Sequence, residues 1–287
     1  MKKIIYIFFD SILLGIILLK NILYSLNFYK FKNYYIDNSQ KKVLIICHGP
    51  SLKENIEFIK KNQSSYQIYS VNYFANTDYF PEIKPKYYLI ADPALWLTNV
   101  TSDYIDENKK LYDNLNSIQW NMTIICPDKG YKIIKKRIKN KFIKVEKINC
   151  FTVDFKNENY SIFALRWNLI TPTYSTAAVM ALWHAILNKK KDIIIYGADY
   201  SYFKEFKVDQ KTNQLSNVFP RFYKNSKAEN NGLAKYPNRS QYMIHERLQK
   251  CAFAFYQMYL ISRVAKNLKI KISNGSNNSY LDCFPRI

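Results

Sequence analysis

The sequence lacks the motifs that would define a metal site or a dinucleotide site. It contains no C-x-x-C pair, no Asp-x-Asp motif and no repeated-glycine dinucleotide fingerprint. The cysteines are odd in number and scattered, at Cys47, Cys126, Cys150, Cys251 and Cys283. This arrangement supports neither a zinc site nor a disulfide framework, so we expect no bound metal and free thiols in a reducing compartment.

Positive charge is in large excess but is not concentrated in one segment. The 287 residues carry 43 Lys and Arg against 22 Asp and Glu, a formal net charge of +21. The lysines are spread among Asn, Ile and Tyr, without an RNA-recognition, zinc-finger or basic-zipper pattern. We therefore expect no nucleic-acid partner. The excess is compatible with an acidic substrate or an anionic lipid surface.

Residues 4–27 are apolar over a length that would cross a bilayer as a helix. Asp10 and Lys20 interrupt this stretch, and a charge at the bilayer centre is costly. At about 100° per residue, Lys3, Asp10 and Asn21 fall on one narrow stripe. The pattern fits a helix in the membrane interface, or one that spans with a partner on the stripe. A core helix of a soluble protein is the alternative.

We expect residues 1–27 to be a membrane anchor and residues 28–41 a connector. No small-residue cleavage site follows the apolar run, which disfavours a secretory signal peptide. Lysines are more numerous after the helix than before it, which favours the cytoplasmic side for the following domain. The prediction is an inner-membrane-associated protein whose catalytic domain, residues 42–287, is cytoplasmic.

The stretch KVLIICHGPSL, residues 42–52, predicts a buried strand, a tight turn and a helix. Ser51 is a candidate N-cap, with Glu54 completing a capping-box pattern for a helix to about residue 61. Such a strand–turn–helix unit is the first crossover of an open parallel sheet, whose ligands bind beyond the carboxyl ends of the strands. An ordinary strand–helix turn without a ligand is the alternative.

The rest of the chain repeats this alternation. Further strands are predicted at residues 66–71, 86–91, 122–126, 142–148, 192–196 and 269–272, and helices at 102–117, 174–187 and 243–268. The fold class is therefore α/β, a Rossmann-like parallel sheet. Residues 201–242 show no periodicity and are expected to form a lid, with a binding loop or a disordered segment as the alternatives.

Polar and glycine residues at the strand ends and helix starts are the candidate nucleotide-binding set. They are His48, Gly49, Pro50, Ser51, Asn72, Asp92, Ser175, Thr176, Gly197, Asp199, Asn274 and Ser276. Structural roles are the alternative at most of these positions, because strand-end polar residues cap loops and Ser or Thr caps helices.

Three side chains are candidates for catalysis. His245, just after the predicted lid, is the candidate base, since His titrates near neutral pH; a histidine on the surface of a helix is the alternative. Tyr200 and Tyr202 could donate hydrogen bonds to a departing phosphate, with Lys235 and Arg239 as further cations. His184 lies in an Ala-rich helix and is expected to be buried structure. No cofactor is expected.

Several short motifs at the predicted strand ends and helix starts resemble motifs of the bacterial sialyltransferases of glycosyltransferase family 42 and of related capsule and lipopolysaccharide enzymes. The similar segments are HGPSL at residues 48–52, SVN at 70–72, Asp92-Pro93, STA at 175–177 and GAD at 197–199. The resemblance implies a variant glycosyltransferase-A fold and metal-independent, inverting transfer from a cytidine-monophosphate-activated sialic acid. His48 and Asp92 both stand where that family has Asn.

The expected function is metal-independent transfer of a sialic-acid-like sugar from a CMP-activated donor to a glycan or glycolipid acceptor at the cell surface. Two alternatives stay open. One is a transferase that uses another nucleotide-activated sugar, or a pyrophosphokinase-type enzyme acting on an alcohol. The other is a non-catalytic, membrane-tethered binding protein. A homo-oligomer is also left open.

Overall fold

The computed structural model describes residues 2–26, 42–97, 102–217 and 240–287. The helices are α1 Lys2–Leu26, α2 Leu52–Asn62, α3 Phe80–Ile83, α4 Ser102–Ser117, α5 Asp128–Arg137, α6 Glu158–Arg166, α7 Ala177–Leu187 and α8 Ile244–Asn267. The strands are β1 Lys42–Ile46, β2 Gln67–Val71, β3 Tyr87–Leu89, β4 Met122–Pro127, β5 Ile143–Ile148, β6 Asp192–Tyr196, β7 Phe206–Val208, β8 Leu215–Asn217 and β9 Lys271–Asn274.

Seven of these strands form one sheet in the order β5-β4-β3-β2-β1-β6-β9, and every neighbouring pair is parallel. β1 and β2 are mostly apolar and almost wholly buried, as expected for central strands covered on both faces. The chain moves outward from β1 to β5 on one side, then returns to β6 on the other. β1 and β6 therefore flank the topological switch point. The predicted Rossmann-like α/β fold is confirmed.

Helices cover both faces of the sheet and bury two separate cores. One core contains apolar side chains of α2, α3, α4 and α5. The other contains side chains of α6, α7 and α8, together with Ile17 of α1. The packing of both helical layers against the sheet thus fixes the positions of the strand ends.

α7 lies at the centre of the second layer and packs across β1, β2 and β3. Its small and large apolar side chains are buried all round, so it is a core helix. His184 is buried between the rings of Tyr69 and Tyr87 and contacts Asn188. Burial, and secondarily the charge of Lys190, lowers the pKa of His184 to about 3, so the ring is neutral at pH 7. The predicted structural role of His184 is confirmed.

Two local predictions around the helix starts were wrong. Ser51 has helical backbone angles and its side chain makes no capping hydrogen bond, so the capping box with Glu54 does not form. A capping side chain needs an extended backbone at its own position, which Ser51 lacks. α7 begins at Ala177 rather than at residue 174, because Thr176 is extended and acts as its N-cap.

The predicted irregular segment, residues 201–242, begins with regular structure. β7 and β8 form an antiparallel hairpin whose turn is closed by Asp209 accepting from the backbone of Lys211 and Thr212. Residues 218–239, which include Lys235 and Arg239, and the connector at 28–41 lie outside the described residues. The lid and the domain limits therefore stay predictions.

α1 contains one window, Ile4–Asn21, long and apolar enough to cross a membrane, with a mean hydropathy of 1.9. Length and composition alone are weak support for membrane association, because core helices and signal sequences share them. In this structure α1 packs against α6, and 11% of the window is buried. All five cysteines are free, in agreement with the expectation from their spacing.

Candidate functional site

The candidate site lies at the carboxyl edge of the sheet, where all seven strands end. Because the strands are parallel, the turns after β1, β2, β3, β6 and β9 meet at this edge, as do the N-termini of α2, α7 and α8. We call residues 47–51 after β1 the first turn, residues 197–200 after β6 the second turn, and residues 274–279 at and after the end of β9 the third turn.

The first and second turns are bonded directly to each other. The Cys47 N–H donates to the Tyr196 carbonyl at 2.8 Å, and the Gly49 N–H donates to the Gly197 carbonyl at 2.7 Å. A Cβ on Gly49 would lie 1.5 Å from Asp199 Oδ2 and 2.6 Å from the Gly197 oxygen. Gly197 has a left-handed φ of +67°, and a Cβ there would approach the Cys47 oxygen to 2.7 Å. Both glycines are therefore required for the turns to meet.

Asp199 lies between the second turn and the N-terminus of α2. Its Oδ2 accepts from the Ser51 N–H at 3.3 Å, across 148 residues of sequence. Burial raises the pKa of Asp199 above its ordinary value and Glu54 adds to the rise, whereas the hydrogen bonds from Ser51 oppose it. A carboxylate of the chain thus occupies the N-terminus of α2, beside the predicted nucleotide-binding residues of the first turn.

The third turn holds the second turn in place. Ser276 Oγ accepts from the Ala198 N–H at 2.9 Å, and Ser279 Oγ donates to the Ala198 carbonyl at 2.6 Å. Asn274 orders both serines, because its Oδ1 accepts from the Ser276 N–H and its Nδ2 donates to Ser279 Oγ. Asn274 and Ser276 are almost fully buried. Their polar groups therefore position the turn.

The N-terminus of α7 joins the same cluster through Thr176. The Thr176 hydroxyl accepts from the Val179 N–H at 3.3 Å and lies 2.7 Å from the Tyr200 hydroxyl. Tyr200 is buried, and burial followed by the neighbouring Tyr202 raises its pKa well above the ordinary tyrosine value. Ser175 is exposed just before the cap. Ser175 is thus the exposed residue at this end of α7, whose first turn, from Ala177 onward, is buried.

Asn72 accepts a hydrogen bond from the backbone at the end of the neighbouring strand, and Asp92 accepts one from the backbone of its own loop. Asn72 has a left-handed φ of 41°, and its side-chain oxygen accepts from the Ala91 N–H at 3.2 Å. Asp92 is exposed and its Oδ1 accepts from the Ala94 N–H at 2.9 Å, capping a short 3-10 turn. The Asn72 contact ties the end of β2 to the end of β3, next to Asp92. The structural alternative for both residues is thus observed, and a ligand contact would be additional.

The remaining candidates of the first turn differ in exposure. His48 and Gly49 are half-buried and Pro50 is exposed. Beside them, a polar cavity of about 510 Å³ opens between α2 and the third turn. Its lining residues are Glu54, Asn274, Ser276, Asn277, Asn278, Arg286 and Ile287.

Sequence reasoning missed Arg286 and Ser279. The Arg286 guanidinium donates to the Ser276 carbonyl at 3.2 Å and also to the Ser279 carbonyl, which places a cation at the cavity wall. Ser279 bridges Asn274 and Ala198. Both lie beyond the last predicted strand, in a stretch whose sequence has no periodicity to indicate these contacts. The polar run SNGSNNS was the one available signal.

The catalytic candidates differ in their positions: the two tyrosines lie together at and just after the second turn, whereas His245 lies on α8. Tyr202 is half-buried next to Tyr200, with ring centroids 5.8 Å apart, and burial raises its pKa above the ordinary value. His245 is exposed on the first turn of α8, whose Phe255 packs on the Tyr200 ring further along. Within the described residues, His245 makes no hydrogen bond to the three turns. In the same part of the chain, no three His, Cys, Asp or Glu side chains are grouped as a metal site would need.

No curated protein matches this chain. Among solved structures, the MAf glycosyltransferase from Magnetospirillum magneticum AMB-1 is similar, with 12% sequence identity and a TM-score of 0.49. The match covers 86% of this chain and 33% of that protein, so this chain spans about a third of its length. A likeness at this level gives no information on activity. The resemblance to glycosyltransferase family 42 is not shown by these matches.

Residues 17–205 match the MptE-like family, described as 6-hydroxymethylpterin diphosphokinase MptE-like. The matched region is about two thirds of the chain and contains the first and second turns, Asn72, Asp92 and the start of α7. The hairpin beyond residue 205, α8 and the third turn lie outside it. The chain therefore belongs to the MptE-like family.

Proposed function

We propose that this protein is a transferase that binds a nucleotide-type donor at the carboxyl edge of the sheet and moves its activated group to a hydroxyl acceptor. The observation that carries the proposal is the direct joining of the first and second turns at the switch point between β1 and β6. Ligands of open α/β sheets bind at this point. The family match supports the same class, because its description names a diphosphokinase.

The N-terminus of α7 is the better of two candidate phosphate sites. At α2 the Ser51 N–H already donates to the Asp199 carboxylate. At α7 the Thr176 cap uses the Val179 N–H, and the N–H groups of Ala177 and Ala178 have no intrahelical partner by position. A phosphate placed there would accept from these N–H groups and meet the positive end of the helix dipole.

Diphosphate is the transferred group that we favour, on the strength of the family match. In that reaction the acceptor hydroxyl oxygen bonds to the β-phosphorus of a nucleoside triphosphate. The bond from that phosphorus to the α–β bridging oxygen breaks, and a nucleoside monophosphate leaves. The hydroxyl proton passes to a base, for which His245 is the candidate. Tyr202 is the better candidate donor to the leaving phosphate, since the Tyr200 hydroxyl is held by Thr176.

Sugar transfer is the second candidate, and the family 42-like motifs of the first and second turns favour it. A sialic-acid-like sugar would move from its CMP donor to a hydroxyl of a glycan or glycolipid, releasing CMP. Both reactions bind a phosphate at the same turns and release a nucleoside monophosphate, so they differ in the donor and in the group transferred. They also differ in metal use, because nucleoside triphosphates react as Mg²⁺ complexes.

The test is to incubate the full chain with nucleoside triphosphates, Mg²⁺ and 6-hydroxymethylpterin, and separately with CMP-sialic acid and a glycan acceptor. Nucleoside monophosphate release and the mass of the modified acceptor are measured. Formation of a diphosphorylated alcohol only when Mg²⁺ is present supports the first candidate. Formation of a glycosylated acceptor together with CMP supports the second. His245→Ala should abolish turnover, whereas Gln249→Ala, one turn further along α8, should not. Failure to bind or turn over any nucleotide donor would refute the transferase and favour a non-catalytic binding protein.

A further inference from the structure

The N-terminal helix α1 exposes apolar side chains and buries its acidic one, the opposite of a helix on the surface of a soluble protein. Its one acidic side chain, Asp10, is 3% exposed and faces the domain. Ten of its large apolar side chains are instead at least 38% exposed: Ile4, Ile5, Tyr6, Ile7, Phe8, Phe9, Ile12, Ile16, Leu18 and Leu19. A soluble surface helix buries its apolar stripe and exposes its polar one. We therefore expect the exposed apolar side of α1 to be buried against another surface.

The exposed residues form one continuous apolar face. At about 100° per residue, six of them fall within an arc of about 120° centred opposite Asp10. These six are Ile4, Ile5, Phe8, Ile12, Ile16 and Leu19. We call them the outer face of α1. No polar or charged residue lies on this arc.

Asp10 clamps α1 to the catalytic domain. Its Oδ2 accepts from the Asn157 N–H at 2.7 Å, and its Oδ1 accepts from the Lys156 N–H at 3.2 Å. Asn157 is the N-cap of α6, so the carboxylate also lies at the positive end of that helix. One residue along, the Ser11 and Tyr160 hydroxyls are 2.6 Å apart. Ile17, two turns further along α1, is buried in the core.

This clamp is incompatible with a helix that crosses the bilayer. Asp10 lies about 9 Å along the apolar window from Ile4 and about 16 Å from Asn21, well inside a hydrocarbon layer of about 30 Å. Spanning would remove the carboxylate from both N–H donors and place it in lipid, at a cost of several kcal/mol. A helix lying parallel to the membrane keeps the clamp and still buries the outer face.

The charge of the chain favours an anionic bilayer as the cover. The formal net charge is +21, and Lys20 borders the outer face. Lysines near a membrane surface bind anionic headgroups. The same charge opposes close approach of a second copy of the chain. α6, which packs against α1, exposes Phe163, and Trp167 at its C-terminal cap is exposed too; aromatic side chains are common at membrane interfaces.

We propose that α1 is a monotopic anchor: its outer face lies in the surface of an anionic bilayer, while Asp10 holds its inner face to α6. The catalytic domain is thereby fixed to one membrane face. This inference does not depend on which group the enzyme transfers.

Vesicle flotation tests the outer face. The full chain should float with vesicles that contain phosphatidylglycerol, and less with phosphatidylcholine alone. Phe8→Ser with Ile12→Ser should weaken flotation at least about tenfold, because two large apolar side chains are lost from the interface. Ile105→Ser is the matched control, since Ile105 is an exposed isoleucine on α4 in the other layer, and it should float like the wild type. Equal flotation of the double variant, or dimerisation through α1 without vesicle binding, would overturn the proposal.

Labelling in sealed membrane vesicles separates a monotopic from a spanning helix. Lys3→Cys and the exposed native Cys150 are reacted with a membrane-impermeant maleimide and mapped by mass spectrometry. The monotopic anchor predicts that both are labelled from the same side. Protection of position 3 while Cys150 reacts would show spanning and overturn the proposal. Asp10→Leu removes the two hydrogen bonds that hold α1 to α6, so the cysteine at position 3 should react less with the maleimide in this variant. Labelling equal to that of the protein with Asp10 would refute the role of Asp10.

Discussion

Replacing Gly49 by alanine should separate the two turns on which the candidate site is built. The new Cβ would lie 1.5 Å from Asp199 Oδ2 and 2.6 Å from the Gly197 oxygen. The Asp199 side chain can rotate away, but it then loses the Ser51 N–H, and the Gly197 oxygen belongs to the backbone. The Gly49–Gly197 hydrogen bond of 2.7 Å must therefore lengthen or break. Losing a backbone hydrogen bond and one to a charged group costs about 2–4 kcal/mol.

Urea denaturation of the full chain measures this loss, and nucleotide binding measures its effect on the site. Gly15→Ala is the matched control: Gly15 lies in α1, no atom lies within 4 Å of its added Cβ, and alanine in a helix should stabilise by up to about 1 kcal/mol. Adding Asp199→Ala to Gly49→Ala relieves the side-chain overlap but not the backbone one, so it should restore part of the stability. A Gly49→Ala protein as stable as the wild type would refute the packing of these turns.

Three further predictions follow from the same contacts. Burial raises the pKa of Asp199, so ionisation of its carboxyl lowers the free energy of unfolding as pH rises. The amide of Asp199→Asn can still accept from the Ser51 N–H but carries no charge. This variant should therefore be at least as stable as the wild type near pH 8 and lose that advantage near pH 4 in urea denaturation. Burial lowers the pKa of His184 on folding, so the free energy of unfolding should decrease as pH falls below about 6.5, by roughly 1 kcal/mol per pH unit. His184→Gln should flatten this slope in urea denaturation. Tyr200→Phe removes the hydroxyl partner of Thr176 and should cost about 1 kcal/mol by the same measurement.

Much of the fold could be predicted from the sequence because its central elements have clear periodicity. α4 and β6 have the predicted bounds, Ser102–Ser117 and Asp192–Tyr196. α5 and α6 were missed. α5 is rich in Lys and contains a glycine, and only Gly130 and Ile134 are buried, so its sequence shows no apolar stripe. α6 is nine residues long, near the lower limit for a periodic pattern.

The candidate site could be predicted only in outline. Parallel strands place their carboxyl ends at one edge, so the meeting of the turns follows from the order of strands and helices. The contacts within the site do not follow, because they join distant residues. Asp199 reaches Ser51 across 148 positions, and no local pattern marks it as the partner of α2. Local rules predicted a Ser51 side-chain cap instead, which is absent.

The position of a bound nucleotide tests the account most directly. A crystal of the full chain soaked with CMP, and another with a non-hydrolysable nucleoside triphosphate and Mg²⁺, would show it. We predict a phosphate within hydrogen-bond distance of the Ala177 or Ala178 N–H, with the ribose over the first turn. An ordered nucleotide at another edge of the sheet, with the first and second turns unoccupied, would contradict it.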